Sequence, residues 1–445
     1  MTSISIIMPL YNAQKYLQES LECIRNQTFS DYELICVNDA STDDTMKILK
    51  QYQECDSRIR IYENEMRMGA AYSRNYGIKN AAGTYVIFLD GDDIFDEQIL
   101  ELSWKAAEKN HTDIVMFDYI HQKSEDIHIK KSIAHSSQYI KKYCITPFSI
   151  IDQKPYDWAR WSGGPCNKLF RTEFIRRNNI RFQNLSSSND VYFIFLALLL
   201  SQRTLVLNEE LVMVYARDHN TVTRISFNRD PMCAFEAIKY LQEVLVERKL
   251  FENYYQHFYY WAFFMLRTTL ERIKDYKIKE KFYLFLQQEG IKTLICNGGS
   301  CFNDLESDIK GWFENFLKED LQSRWYETKT YLFFCLRDRK KIVESIFKKY
   351  SDLQMKIAVW GAGRNGNSLL EFCDRNNLHV HAVIDTDKNK QGKNLFGVPI
   401  RAYEDICDDI QVIIISAQNI YTDVKEITKG SSIEIIDINI LMDYD

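Results

Sequence analysis

Three short stretches of this 445-residue chain gather oxygen ligands and hydrogen-bonding groups where the backbone turns. Pro9-Leu10-Tyr11-Asn12 closes one β-rich run, Asn38-Asp39-Ala40-Ser41-Thr42-Asp43 closes a second, and Leu89-Asp90-Gly91-Asp92-Asp93 closes a third. Asp90 and Asp92, with one glycine between them, offer two carboxylates that suit a hard divalent cation such as Mg²⁺ or Mn²⁺, and a diphosphate can complete its shell. Gly91 is expected to let the backbone turn tightly and approach a ligand. Asp39 can accept hydrogen bonds from a base or a ribose, and Ser41 or Thr42 can cap the helix that follows. A lone D-x-D is also ordinary turn composition. Its place after a buried strand, in register with Asp39, favours the ligand reading.

The elements that must position these residues follow from periodicity. Residues 4–8, 33–38, 59–63, 85–89 and 114–117 read as strands, and residues 13–26, 42–53, 70–80 and 97–109 as helices between them. This βαβα order predicts an α/β fold with a mostly parallel sheet that binds ligands beyond the carboxyl ends of its strands. Residues 118–165 are polar and irregular. A strand at 168–170, a helix around 189–201 and strands at 204–207 and 211–217 follow. From Pro231 to about Lys349 the pattern is helical and rich in aromatics, with residues 254–266 reading as helix core rather than a platform for stacking sugars. At Met355 a new β-α-β pattern begins. The expected organisation is a first domain over 1–225, a helical connecting region over 226–353 and a small α/β domain over 354–445.

Composition excludes several classes. The 56 Lys and Arg against 62 Asp and Glu give a net charge of −6, which provides no general field for a polyanion, so a dedicated nucleic-acid binder is disfavoured. The 11 cysteines form no C-x-x-C pair, which points to free thiols in a reducing compartment rather than zinc or disulfides. The N-terminus has no basic segment before its apolar run, which Pro9 interrupts, and is not expected to be a signal peptide. The longest apolar run, 191–200, is too short to span a bilayer. A cytoplasmic protein is expected. Residues 324–350 carry eight Lys or Arg against three Asp or Glu; a solvated helix is the preferred reading, and a peripheral contact with the inner face of the membrane the alternative.

Taken in order, the three strand-end stretches, together with Gly69 and Ser73-Arg74-Asn75-Tyr76-Gly77, resemble family-2 glycosyltransferases of the GT-A fold over roughly the first half of the chain. The resemblance implies an inverting enzyme that moves a sugar from a nucleotide diphosphate, a UDP-sugar, to a hydroxyl of a glycan or lipid-linked acceptor in cell-surface polysaccharide assembly, with Mg²⁺ or Mn²⁺. It places Pro9, Tyr11, Asn12, Asp39, Arg74 and Asp90 around the donor, and Asp92 with Asp90 at the metal. Further on, Cys166-Asn167-Lys168-Leu169-Phe170-Arg171 resembles the family's N-K-L-F/Y strand. Asn189-Asp190 stands where many relatives carry Glu-Asp. The resemblance makes Asp190 the catalytic base, a carboxylate that takes the acceptor proton as the hydroxyl attacks the anomeric carbon. The bland alternative is a helix N-terminal residue held by the macrodipole. Tyr215 to Thr223 resembles the family's Y-x-R-x-H-x-x-x-T segment, in which His219 either completes the metal shell or is an ordinary surface histidine.

The C-terminal pattern is a strand, then Gly361-Ala362-Gly363-Arg364-Asn365-Gly366 opening a helix, then a strand ending in Asp385. This is G-x-G-x-x-G in its proper context, where Gly361, Gly363 and Gly366 admit a phosphate and Asp385 can hold a ribose hydroxyl. The region resembles the small Rossmann-like domains of sugar-nucleotide enzymes and is read as an accessory nucleotide-binding-like domain. Two rival readings remain: an NAD-dependent sugar-nucleotide oxidoreductase or epimerase using this fingerprint, and a non-catalytic nucleotide-sugar-binding scaffold.

Overall fold

The computed structural model describes residues 2–122, 129–130, 146–155, 164–215, 229–273, 275–318, 337–362, 364–416 and 421–437. The chain divides into two compact units, Met1–Leu317 and Lys318–Asp445.

The first unit opens with β1 (Ile4–Leu10), α1 (Leu17–Arg25), β2 (Tyr32–Asn38), α2 (Thr45–Cys55), β3 (Ile59–Glu63), α3 (Ala70–Asn80) and β4 (Tyr85–Phe88). Strands β1, β2 and β4 are buried along almost their whole length, which is why they read as apolar runs rather than as alternating patterns. Pro9 lies inside β1, past Ile7, the last β1 residue in register with β4. Its missing N–H is tolerated there in an otherwise interior strand. After β5 (Ile94–Phe95) and α4 (Ile99–Asn110) come β6 (Ile114–Gln122), β7 (Ile129–Lys130), β8 (Lys168–Arg171), α5 (Thr172–Arg177), α6 (Val191–Leu200) and β9 (Thr204–Tyr215).

The sheet runs β3-β2-β1-β4-β8-β6-β9-β5, with β7 on β6. Strands β3, β2, β1 and β4 are mutually parallel; β8 is antiparallel to both β4 and β6, which makes β6 parallel to β4. All the parallel strands therefore end at one edge. Alternation sends Ile87, Leu89, Val115, Phe117 and Leu169 into one core with α1 and α4. The opposite face carries an aromatic cluster of Phe88, Phe170, Phe182 and Phe193, the last two stacked with ring centroids 4.0 Å apart.

Some expected boundaries move. Strand β6 runs to Gln122, and the two strands expected over 204–217 are one, because β9 pairs with β6 in parallel as far as Tyr215, with register shifts around Asp118. Helix α1 begins at Leu17 rather than 13, and α2 at Thr45 rather than 42.

Helices α7 (Met232–Glu247), α8 (Phe251–Arg272), α9 (Tyr276–Phe285), α10 (Ile291–Gly298) and α11 (Ser307–Phe316) follow, with one π-helical turn at Leu286–Gly290. The aromatic helix α8 is core: Phe258, Tyr259 and Trp261 are fully buried, and the Tyr259 hydroxyl donates to the Leu294 carbonyl at 2.8 Å. No helix among the described residues is long and apolar enough to cross a membrane.

The second unit comprises α12 (Arg337–Asp352), β10 (Ile357–Trp360), α13 (Arg364–Arg375), β11 (Ala382–Ile384), β12 (Asn394–Leu395), β13 (Val398–Arg401), β14 (Val412–Ile415), α14 (Tyr421–Ile427) and β15 (Glu434–Asp437). Its sheet has the order β12-β13-β11-β10-β14-β15, parallel except for β12. Helix α12 belongs here: its Val343, Phe347 and Tyr350 share a core with Ile357, Val359 and Leu369. The stretch expected as one connecting region up to residue 353 is thus divided, with α7 to α11 in the first unit and α12 in the second.

Candidate functional site

The β1 and β2 loops are tied to each other. Asn12 has φ 50, and its backbone N–H donates to Ser41 Oγ at 3.0 Å while its Oδ1 accepts from the Thr42 N–H at 2.8 Å. Neither Ser41 nor Thr42 caps α2. The N-cap residue is Asp44, whose side chain caps nothing; Asp43, one residue before it, takes the Thr45 N–H at 3.0 Å and the Gln14 N–H of the loop after β1 at 3.1 Å. A carboxylate is the stronger acceptor for these N–H groups, and the two hydroxyl residues bond to Asn12 instead. Tyr11 is part-exposed at this edge, with the Arg67 guanidinium 4.0 Å above its ring.

Asp39 is buried at the end of β2. Its carboxylate accepts from the Asn64 amide at 2.7 Å and from the backbone N–H groups of Met68 and Gly69 at 2.7 and 2.8 Å. It shapes the loop entering α3, where Gly69 takes φ 90, a backbone angle that glycine tolerates.

Arg74 of α3 joins the two halves of the site. It donates to Asp90 Oδ1 at 2.8 Å and to Asn189 Oδ1 at 3.2 Å, and it lies over the Phe182 ring. Burial works against its charge, but the carboxylates of Asp90 and Asp190 outweigh burial and hold its pKa above the ordinary value. Asp92 is exposed, and Asp93 is buried with its carbonyl accepting from Ser20 Oγ at 2.7 Å. Gly91 differs from the expectation: it is not among the glycines with positive φ, and what requires it is Leu10, whose Cδ2 would sit 2.3 Å from an added Cβ.

Asp190 occupies the N-cap position of α6 with φ −87 and ψ −24, and its side chain caps no helix N–H. Burial raises its pKa, opposed chiefly by Arg74. Lys168, at the start of β8, is fully buried and donates to the carbonyl of Gly164 and to Asn167 Oδ1, both at 2.7 Å. Burial pulls its pKa down to about 7, against the charge of Asp190. One further ionisable residue, Asp118 of β6, carries no motif. It is 7% exposed, its Oδ1 has no hydrogen-bond partner, and burial with the neighbouring Glu210 pushes its pKa up to about 6. The available sequence signal was a lone carboxylate in the apolar run Ile114 to Phe117 and Tyr119.

His219 and Gly363 lie outside the described residues. No group of three or more His, Cys, Asp or Glu among the described residues could hold a metal by itself. Asp90, whose Oδ1 is held by Arg74, and the exposed Asp92 offer carboxylate oxygens of the kind that suits a hard cation, whose shell a diphosphate would complete. In the second unit, Gly361 has φ 109, and a Cβ on Gly366 would meet the Gly361 carbonyl oxygen at 1.7 Å. Asp385 accepts from the Ala362 N–H at 2.7 Å, the Asp387 N–H at 2.9 Å and Lys390 Nζ at 3.0 Å. Burial raises its pKa, but these donors outweigh burial and hold it below the ordinary value. Asp385 thereby ties down the glycine turn.

The first unit is an α/β fold that gathers carboxylates at one strand edge, and comparison with known proteins supplies the class. Residues 5–177 match the Glycosyl transferase family 2 model, and residues 353–438 match one described as C2185-like, N-terminal. The chain is a glycosyltransferase. It is 28% identical over 228 residues to glycosyltransferase GlyG of Streptococcus pneumoniae, a match covering 51% of this chain and 74% of GlyG. It is 29% identical over 226 residues to the uncharacterized glycosyltransferase EpsJ of Bacillus subtilis, covering 50% of this chain and 64% of EpsJ. The crystal structure of Staphylococcus aureus TarS shares the fold, with a TM-score of 0.54 and 19% identity over 72% of this chain and 53% of TarS.

Proposed function

We propose that this chain transfers a sugar, with inversion, from a UDP-sugar to a hydroxyl of a glycan or lipid-linked acceptor in cell-surface polysaccharide assembly, working on the cytoplasmic side. The observation that carries the reading is the Arg74 bridge. One buried guanidinium holds Asp90, from the donor edge, together with Asn189, the neighbour of Asp190. Pro9, Tyr11 and Asn12 line the nucleotide side of the edge, and Asp39 holds the loop that closes it.

Asp190 takes the proton from the acceptor hydroxyl as it attacks. A carboxylate whose pKa is raised by burial is a better proton acceptor than an ordinary one. The Arg74 charge favours its ionised form. Mg²⁺ or Mn²⁺ on Asp90 and Asp92, with His219 as a further candidate ligand, would neutralise the charge of the departing diphosphate. We assign the donor site and base to residues 1–225. The second unit is read as a Rossmann-like accessory domain whose glycine turn holds Gly361 and Gly366, with Gly363 a candidate from the sequence pattern alone. An oxidoreductase reading would place Asp385 on a ribose; its carboxylate accepts from Ala362, Asp387 and Lys390 and so ties down the glycine turn, as Asp39 ties down the loop entering α3.

The test is release of UDP from UDP-glucose, UDP-galactose and UDP-N-acetylglucosamine, each with Mn²⁺ and with excess chelator. Metal-dependent turnover of at least one is expected, and Asp92→Asn should reduce it severely while the protein stays folded. Full turnover by that variant in chelator would remove the metal role, and no binding of any of the three would overturn the UDP-sugar reading.

A further inference from the structure

Along the carboxyl edge of the sheet, the candidate groups follow strand order. Asp39 follows β2, Asn12 follows β1, Asp90 follows β4, then comes β8, and Asp118, in the middle of β6, stands level with Asp90, each three residues past the register Ile87–Leu169–Val115. Strands are about 4.8 Å apart, so Asp118 is about 10 Å from the Asp90 strand, on the side away from the nucleotide loops. Met116 is in register with Lys168, and Asp118 is two residues further on. Phe117 and Tyr119 turn to the opposite core. Asp118 therefore shares a sheet face with Met116 and the buried Lys168, whose charge is felt at Asp190.

A carboxylate 93% removed from solvent, with an oxygen that bonds to nothing, costs stability without return unless a ligand supplies the missing donor. The partner residue in register, Glu210, is another acid and cannot supply it. The donor must also approach from beyond β4, because the nucleotide side of the edge is two strands away. We propose that Asp118 is a positioning residue for the acceptor: its carboxylate accepts hydrogen bonds from hydroxyls of the acceptor sugar and orients the attacking hydroxyl toward Asp190. The inference rests on the glycosyltransfer reading above and adds the residue that recognises the second substrate.

The experiment uses the full chain, with UDP-sugars as donors and methyl β-glucoside, methyl β-galactoside and methyl N-acetyl-β-glucosaminide as acceptor probes. In the wild type, at least one probe should accelerate UDP release. In Asp118→Asn, which keeps the shape and loses the charge, the KM for that probe should rise by about tenfold to a hundredfold, the usual worth of a charged hydrogen bond. The Kd for UDP, measured by titration, should stay within about twofold, and the melting temperature should rise. An unchanged probe KM overturns the proposal. So does a variant of lower stability, since that would make Asp118 a structural carboxylate. A wild type that turns over donor and is accelerated by none of the three sugars overturns it too, because a sugar's hydroxyls are what it requires. A wild type that binds no UDP or UDP-sugar fails earlier, at the glycosyltransfer reading itself. Asp118→Ser gives the same split in KM should the amide of Asn mimic the carboxylate.

Discussion

Asp190 and Asp118 are both raised by burial, but their neighbours differ, and so do their consequences. Asp190 faces the Arg74 guanidinium, which opposes the shift; Asp118 faces Glu210, which adds to it. For Asp190, Asn keeps the shape and cannot accept a proton. Turnover of Asp190→Asn should fall by roughly 10²–10⁴, the usual worth of a positioned base. Its melting temperature should hold, because the side chain caps nothing. Near-normal kcat with saturating acceptor would sink the assignment. The acidic limb of the wild-type pH profile should lie above the ordinary carboxylate range, because a base with a raised pKa loses its ionised form sooner as pH falls. For Asp118 the linkage concerns stability. With its pKa raised to about 6 in the fold, the penalty is absent below the ordinary carboxylate value, grows as pH rises toward about 6 and is constant above it. Allowing for screening beside exposed Glu210, it amounts to about 1–2 kcal/mol. Asp118→Asn should therefore melt about 2–4 °C above the wild type at pH 7.5, with the gain shrinking toward pH 4. Equal gains at both pH values would show that ionisation is not the cause.

At the scale of elements, what was legible in the sequence was what local pattern controls. Strands β1, β2 and β4 are apolar runs, and residues 70–80 emerged as α3 with those bounds. Long-range choices were less visible. Arg74 and Asn189 are 115 residues apart, and no period or cap links them. The extension of β6 beyond Phe117 depends on β9 arriving in parallel. The reason for Gly91 also changed, from turn geometry to contact with Leu10. That contrast gives a paired prediction. A Cβ at Gly83 would lie 2.5 Å from the Ser5 backbone nitrogen and 2.7 Å from the Ile4 carbonyl carbon, inside a central strand that cannot move aside. A Cβ at Gly91 crowds the end of the Leu10 side chain, and its contacts with Leu17 and Met8 at 3.6 Å are ordinary. Gly83→Ala should cost about 3 kcal/mol or more, at or beyond the top of the usual overpacking range, and Gly91→Ala about 1 kcal/mol. Urea unfolding of the two variants checks the order; equal costs would mean that the β1 backbone yields.

At the scale of the whole molecule, the division near residue 317 makes a prediction about where the chain can be cut. Every residue assigned to donor or base lies before residue 225, so the polypeptide 1–317 should fold and turn over the UDP-sugar donor. The more exacting test is at the other end. Residues 354–445 contain the whole C-terminal sheet but lack α12. That helix contributes Val343, Phe347 and Tyr350 to the core, and the Tyr350 hydroxyl bonds to Glu434 of β15. Burying three such side chains is worth about 1.5–3 kcal/mol each. Their sum is comparable to the whole stability of a small domain. The polypeptide 318–445 should therefore give a cooperative thermal transition by circular dichroism, whereas 354–445 should be largely unfolded at 25 °C. A cooperative transition in 354–445 at the same midpoint as in 318–445 would show that α12 contributes nothing to the second core. In that case the shared burial of Phe347 and Tyr350 with Ile357 and Val359 would not be what holds the C-terminal sheet together.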